Sequence, residues 1–288
     1  MAKKPLPCIL KALFLISLIW GCCPLGRANN TTACFPYEWV GRIEGLNLEG
    51  PSGIVYHQER RSLFVVGDRG DICEITRDGD VIKRKKIRNA DFEGITYNPS
   101  SGLLYIAVEG EENIIEIDPA DFRVLREYSI DRAFKGTTVL KAGGDGVEAI
   151  TFVPNSHRPE GGTFYIANQG FDLEDTEDPS AIFELHLPLQ GRSSGGRARI
   201  IRGISFNAID LSGLSYDRLN GRLYAISGVW NTLFEITMEG VILETYTLPG
   251  DNQEGIAVDE RGILYIAQDS GGIVTVQGLK EGRRFGSR

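Results

Sequence analysis

The chain has 288 residues, with a hydrophobic share of 42% and a charged share of 24%, values ordinary for a folded soluble protein. Its formal net charge is −8. Lys3, Lys4, Lys11 and Arg27 are the only charged residues of the first 28, so removing those four from the 31 basic residues leaves 27 against 39 acidic ones, or −12, on residues 29–288. That balance argues against nucleic acid and anionic lipid as main partners and suits cations or neutral ligands.

The N-terminus reads as an export signal over residues 1–28. Lys3 and Lys4 form a basic start, Ala12 to Trp20 an apolar core, and Gly26-Arg27-Ala28 a small-residue cleavage site. The apolar run is too short to span a bilayer comfortably. Ile19-Trp20-Gly21-Cys22 offers a second reading, a lipoprotein signal ending before Cys22, and an uncleaved anchor is a third. Contact with a membrane is expected through this segment alone. After cleavage at Ala28 only Cys34 and Cys73 remain. In an oxidising compartment they can pair, clipping the N-terminal arm 29–36 to the first repeat, or they stay as free thiols.

From residue 52 onward the chain repeats itself. Ser52-Gly53-Ile54 leads to Leu63-Phe64-Val65-Val66-Gly67-Asp68, and Glu93-Gly94-Ile95 leads to Leu104-Tyr105-Ile106-Ala107-Val108-Glu109. Glu148-Ala149-Ile150, Ser212-Gly213-Leu214 and Glu254-Gly255-Ile256 lead to comparable apolar strands. Successive units start 41, 55, 64 and 42 positions apart. Several short strands per 40–50 residues mark a β-propeller. Each unit continues into a third and a fourth strand, for instance Ile72 to Ile75 and Val81 to Ile87. In the third unit the fourth strand is placed at Ala198 to Phe206, after a Gly/Ser turn over Gly191 to Gly196. The fifth unit ends after its third strand, and the segment around residues 38–45 precedes the first unit and belongs to none. It is expected to supply the missing strand, since pairing the two termini removes a free edge. The predicted fold is therefore all-β: one domain over residues 37–277, a five-bladed propeller of four-stranded antiparallel blades, with a flexible tail at 278–288. Lys83-Arg84-Lys85-Lys86, the one basic run, lies on an outermost strand where lysines discourage edge pairing.

In such a ring the first strands line an axis and the acids that open them converge. Glu93, Glu148 and Glu254 begin first strands, with Ser52 and Ser212 in the other two units. Asp68, Glu109, Gln169 and Asp269 end second strands on the same rim, with Asn168 and Gln268 one residue earlier and Trp230 on a neighbouring loop. Converging like charges are costly unless a cation joins them. All-oxygen ligands, carboxylates and amides without histidine or thiolate, suit Ca²⁺ best and Mg²⁺ next. The alternative is that each acid caps its own turn. The loop 172–178 carries five carboxylates and reads as solvated surface or as further ligands. Histidines are few and scattered, which disfavours nucleophilic catalysis.

Asp91-Phe92-Glu93-Gly94-Ile95-Thr96-Tyr97, preceded by the segment from Leu46 to Tyr56 and by Leu63 to Asp68, resembles the SdiA-regulated domain family of bacterial envelope proteins over roughly residues 38–277. The resemblance implies an exported or membrane-attached propeller in the periplasm or cell envelope. The Glu-Gly turn followed by a Leu-Tyr-Ile-Ala strand is also similar to the calcium-dependent propeller hydrolases, namely the esterase-like phytases, gluconolactonases and paraoxonases. That likeness implies Glu93, Glu148, Glu254 and Asn168 as counterparts of their metal ligands, although Ser52 and Ser212 replace acids in two blades. The expected function is binding of a divalent cation at the channel mouth by a module for a small-molecule or envelope-protein ligand. The runner-up is a metal-dependent hydrolase of phosphate esters, lactones or aryl esters, with Glu148 or Asp269 activating water. A metal-free structural scaffold is the third reading.

Overall fold

The computed structural model describes residues 33–34, 38–190 and 195–277, and among them there is no helix. The export signal, Cys22, most of the arm and the tail at 278–288 lie outside the described residues, as does the turn at 191–194. Strand β1 spans Glu38–Ile43. Consecutive antiparallel quartets follow. The first is β2 (Pro51–His57), β3 (Ser62–Gly67), β4 (Asp71–Ile75) and β5 (Val81–Lys86). The second is β6 (Asp91–Tyr97), β7 (Leu104–Glu109), β8 (Asn113–Asp118) and β9 (Arg123–Asp131). The third is β10 (Val147–Pro154), β11 (Gly162–Asn168), β12 (Ala181–His186) and β13 (Gly195–Ser205). Next come β14 (Leu211–Asp217), β15 (Arg222–Ser227), β16 (Thr232–Ile236) and β17 (Ile242–Thr247). The last set is β18 (Gln253–Val258), β19 (Ile263–Gln268) and β20 (Ile273–Gln277). Its fourth strand is β1, antiparallel to β20 from Glu38 opposite Gln277 to Ile43 opposite Ile273.

The strand sequences follow from what covers them. Strands β3 and β7 are buried along almost their whole length, so they read Ser-Leu-Phe-Val-Val-Gly and Leu-Tyr-Ile-Ala-Val-Glu with no polar alternation. Outer strands face water and tolerate Val-Ile-Lys-Arg-Lys-Lys. The core lies between neighbouring sheets. Phe64 and Val66 pack with Phe92 and Ile106, Tyr105 and Ile114 with Phe164 and Phe183, and Tyr165 and Ala167 with Leu211 and Leu223. Tyr224 and Ile226 pack with Leu264 and Ile266. A further cluster joins Ile54, Tyr56 and Val65 to Tyr265 and Ala267, linking the last sheet to the first.

Three expectations need correction. Strand β13 begins at Gly195, earlier than Ala198, because it pairs in parallel with β9 from Glu127 beside Gly195 to Asp131 beside Arg199. This pairing merges the second and third quartets into one eight-stranded sheet. Gly195 has φ +91°, and a Cβ there would lie 1.8 Å from the Glu127 carbonyl oxygen, so only glycine can open the pairing. The basic run does more than protect an edge. Lys83 Nζ donates to the carbonyls of Pro119 and Ala120 at 2.7 and 2.6 Å and lies over the Phe122 ring, and Lys85 Nζ reaches the Asp121 and Phe122 carbonyls. Finally, Cys73 is a free, buried thiol, so no disulfide joins it to Cys34. The backbone of Ala33–Cys34 runs beside Tyr246 and Thr247 of β17, away from the first quartet.

Candidate cation-binding mouth

Each inner strand carries a register break at the same place. Pairing shifts between Pro51 and Gly53, Phe92 and Ile95, Val147 and Ala149, Leu211 and Gly213, and Gln253 and Ile256. The residues that escape the ladder include Ser52, Glu93, Glu148, Ser212 and Glu254, so the bulge re-aims these side chains. The small residue after each one has a separate cause. A Cβ on Gly53 would stand 2.0 Å from the Glu93 carbonyl oxygen, one on Gly94 2.4 Å from Ile150 N, and one on Gly213 2.2 Å from the Glu254 carbonyl oxygen. A Cβ on Gly255 would meet the Ser52 carbonyl at 2.6 Å. Inner strands therefore touch backbone to backbone at this level, which forms a narrow waist with room for only about 10 Å³. The acids sit immediately above that waist.

One carboxylate oxygen from each of Glu93, Glu109 and Glu148 lies within 4.8 Å of the others, and the same holds for Asp68, Asp91 and Glu93. Glu93 and Glu148 are 7% and 6% exposed. Burial pushes both carboxyls well above the usual range, reinforced for Glu93 by Glu148 and Asp91, and for Glu148 by Glu109 and Glu254. Burial, then Asp210, Asp269 and Asp68, lifts Glu254 to about 8. Glu109 is raised to about 7 by burial, then by Asp91 and Glu112. Burial raises Asp68 too, opposed by its bond from Ser52.

The remaining rim residues are engaged in more local ways. Asn168 Nδ2 donates to Asp178 Oδ1 at 3.0 Å and to the Pro179 carbonyl, while its buried Oδ1 has no partner. Gln169 Nε2 donates to Asp210 Oδ1 at 2.9 Å, and Ser212 Oγ to the Gln253 carbonyl at 2.8 Å. Gln268 Nε2 donates to the Asp251 carbonyl at 2.8 Å, leaving a buried, unpartnered Oε1. Asp269 is exposed at the rim, and Trp230 is an exposed aromatic. Of the acidic loop, Asp178 is buried and receives Asp145 N at 2.8 Å, whereas Asp172, Glu174 and Glu177 face solvent. Two acids of the mouth were not singled out from the sequence. Asp91 and Asp210 each stand two residues before the bulged position, and that shared offset was the available signal. Asp210 is buried and also holds Val229 N at 2.6 Å.

The donor set is all oxygen and has no histidine or thiolate among the described residues. The carboxyls press on one another, and Glu254 lies outside both close groups while adding its charge to Glu148. These residues fit a hard divalent cation.

Antiparallel four-stranded units, two of them joined by the β9–β13 pairing, pack face to face with their inner strands side by side and make this a protein of the β-propeller type. A family model described as SdiA-regulated matches residues 37–271, and the chain belongs to the SdiA-regulated family. In fold it is similar to glutaminyl cyclase from Myxococcus xanthus, with a TM-score of 0.58 and 12% identity over 84% of this chain and 95% of that one. It is likewise similar to the β-propeller domain of Cps50 (Swd1) from Myceliophteria thermophila, with a TM-score of 0.50 and 10% identity over 84% and 99%. At such identities the likeness concerns the fold alone.

Proposed function

We propose that the chain is a five-bladed propeller, closed by Glu38–Ile43 as the outer strand of its last blade, that binds a divalent cation at the acidic mouth. Pairing of β1 with β20 supports the closure, as do inner strands that touch in the sequence β2, β6, β10, β14, β18 and back to β2. The cation is Ca²⁺ before Mg²⁺, because donors spread over several strands suit the looser coordination of the larger ion. The observation that carries the reading is the convergence of Glu93, Glu109 and Glu148 within 4.8 Å. The bound cation in turn presents open coordination positions to a small-molecule or envelope-protein ligand, with the exposed rings of Phe171 and Trp230 beside the rim for stacking. Export to the periplasm or cell envelope is supported by the basic-then-apolar N-terminus.

Calorimetric titration of the metal-stripped protein with Ca²⁺ tests this. Heat of binding and a rise in melting temperature are expected, and both should weaken in Glu148→Gln. The absence of both from the parent protein removes the proposal.

A further inference from the structure

The opposite ends of the inner strands enclose a second space. Below the waist, Tyr56, Tyr97, Phe152 and Tyr216 wall a cavity of about 140 Å³, with Arg218 and Leu219 at its rim. An apolar cavity of about 150 Å³ is large enough to take a benzene ring. The polar groups around it are of two kinds. The carboxylates are engaged: Asp259 pairs with Arg261 at 2.9 Å, Glu260 with Arg77, and Asp217 Oδ1 accepts Leu219 N at 2.8 Å. Arg218 is different. Its guanidinium is exposed, lies 5.3 Å from the centre of the Tyr97 ring, and forms no ion pair among the described residues. His57 stacks on Tyr97 at 4.5 Å, fixing the ring that Arg218 covers.

Two hydroxyls add directionality. Thr96 Oγ1 accepts Phe152 N and Thr151 Oγ1 accepts Tyr216 N, each at 3.0 Å. Both threonines line the cavity, and each keeps its own proton for an acceptor. The site therefore combines an aromatic wall, a cation without a counter-ion among the described residues and two hydroxyl donors.

We infer that this second mouth binds a small carboxylate with a flat apolar body, of the size of a single aromatic ring, whose carboxylate meets Arg218. The ring packs against Tyr97, Phe152 and Tyr216. A cationic ligand would face Arg218, with Asp259 and Glu260 already paired to arginines and Asp217 hydrogen-bonded to the Leu219 amide. The site is independent of the acidic mouth, because the waist separates the two.

Ligand-observed NMR and calorimetry with benzoate and benzylamine test the inference on the whole chain. Benzoate is expected to bind with a dissociation constant of about 1 mM or tighter, and benzylamine at least tenfold more weakly. The exposed substitution Arg218→Gln should weaken benzoate tenfold or more without lowering the melting temperature, and Glu148→Gln should leave benzoate binding unchanged. Failure of benzoate to bind overturns the inference. So does equal binding of benzylamine, undiminished binding in Arg218→Gln, or loss of binding in Glu148→Gln. Calcium uptake measured on the same samples reports separately on the acidic mouth.

Discussion

Glu148 and Glu116 are both buried glutamates, yet their surroundings are opposite. Glu116 receives Arg126 Nε at 2.7 Å and the Tyr128 hydroxyl at 2.9 Å. Equivalent third-strand glutamates are matched in the same way: Glu74 by Arg60, Glu184 by Arg202 and Glu235 by Arg222. Glu148 faces other carboxyls. Removing the charge should therefore have opposite signs in the metal-free protein. Arg126→Met strands Glu116 without its counter-ion and should cost about 3 kcal/mol in denaturant unfolding. Glu148→Gln relieves repulsion and should leave stability unchanged or higher. The mouth also sets a pH dependence. The unfolded carboxyls titrate near 4.5, whereas Glu109 and Glu254 titrate near 7 and 8 in the folded chain. Stability from these groups is complete below about pH 4.5 and lost as pH rises through the folded values. With chelator present, the melting temperature is expected to fall by roughly 10 °C between pH 5 and 8.5, and Ca²⁺ should flatten the profile. A flat profile in chelator alone would contradict this account.

The strand units explain why some of the molecule was legible in its sequence and some was not. Glu or Ser followed by Gly, or by Ala in the third unit, at each inner strand announced both the repeat and the residues of the mouth. The reason for the glycine was not visible, because it lies in the backbone of the neighbouring sheet. Gly53→Ala should cost about 3 kcal/mol or more, since the clash is with the Glu93 carbonyl and backbone cannot step aside easily. Gly41→Ala, on β1 with nothing within 4 Å, should stay within about 0.5 kcal/mol by the same denaturant measurement. The glutamate–arginine pairs of the third strands escaped notice for another reason. Their arginines come from different strands and offsets, such as Arg60 before β3 and Arg126 on β9. The parallel join of β9 to β13 departs from the repeat, so periodicity could not foretell it. Lys83 and Lys85 looked like edge protection, because the carbonyls they reach belong to a distant turn.

At the scale of the whole molecule, the pairing of β1 with β20 brings the two ends of the folded region into one sheet. The strand that precedes the first repeat was recognisable because it belonged to no repeat. Deleting residues through Ile43 should leave the Ile273–Gln277 edge open, lowering the melting temperature and producing higher-order species in size-exclusion chromatography. A monomeric truncation with unchanged melting would show that the contact is dispensable. The glycine-lined constriction has a wider consequence. With about 10 Å³ free at that level, the two ends are blind alleys rather than a passage. Any visitor must back out through the door it used. Traffic on one side cannot jostle the other by collision, so messages between them would have to travel as shifts of the strands themselves.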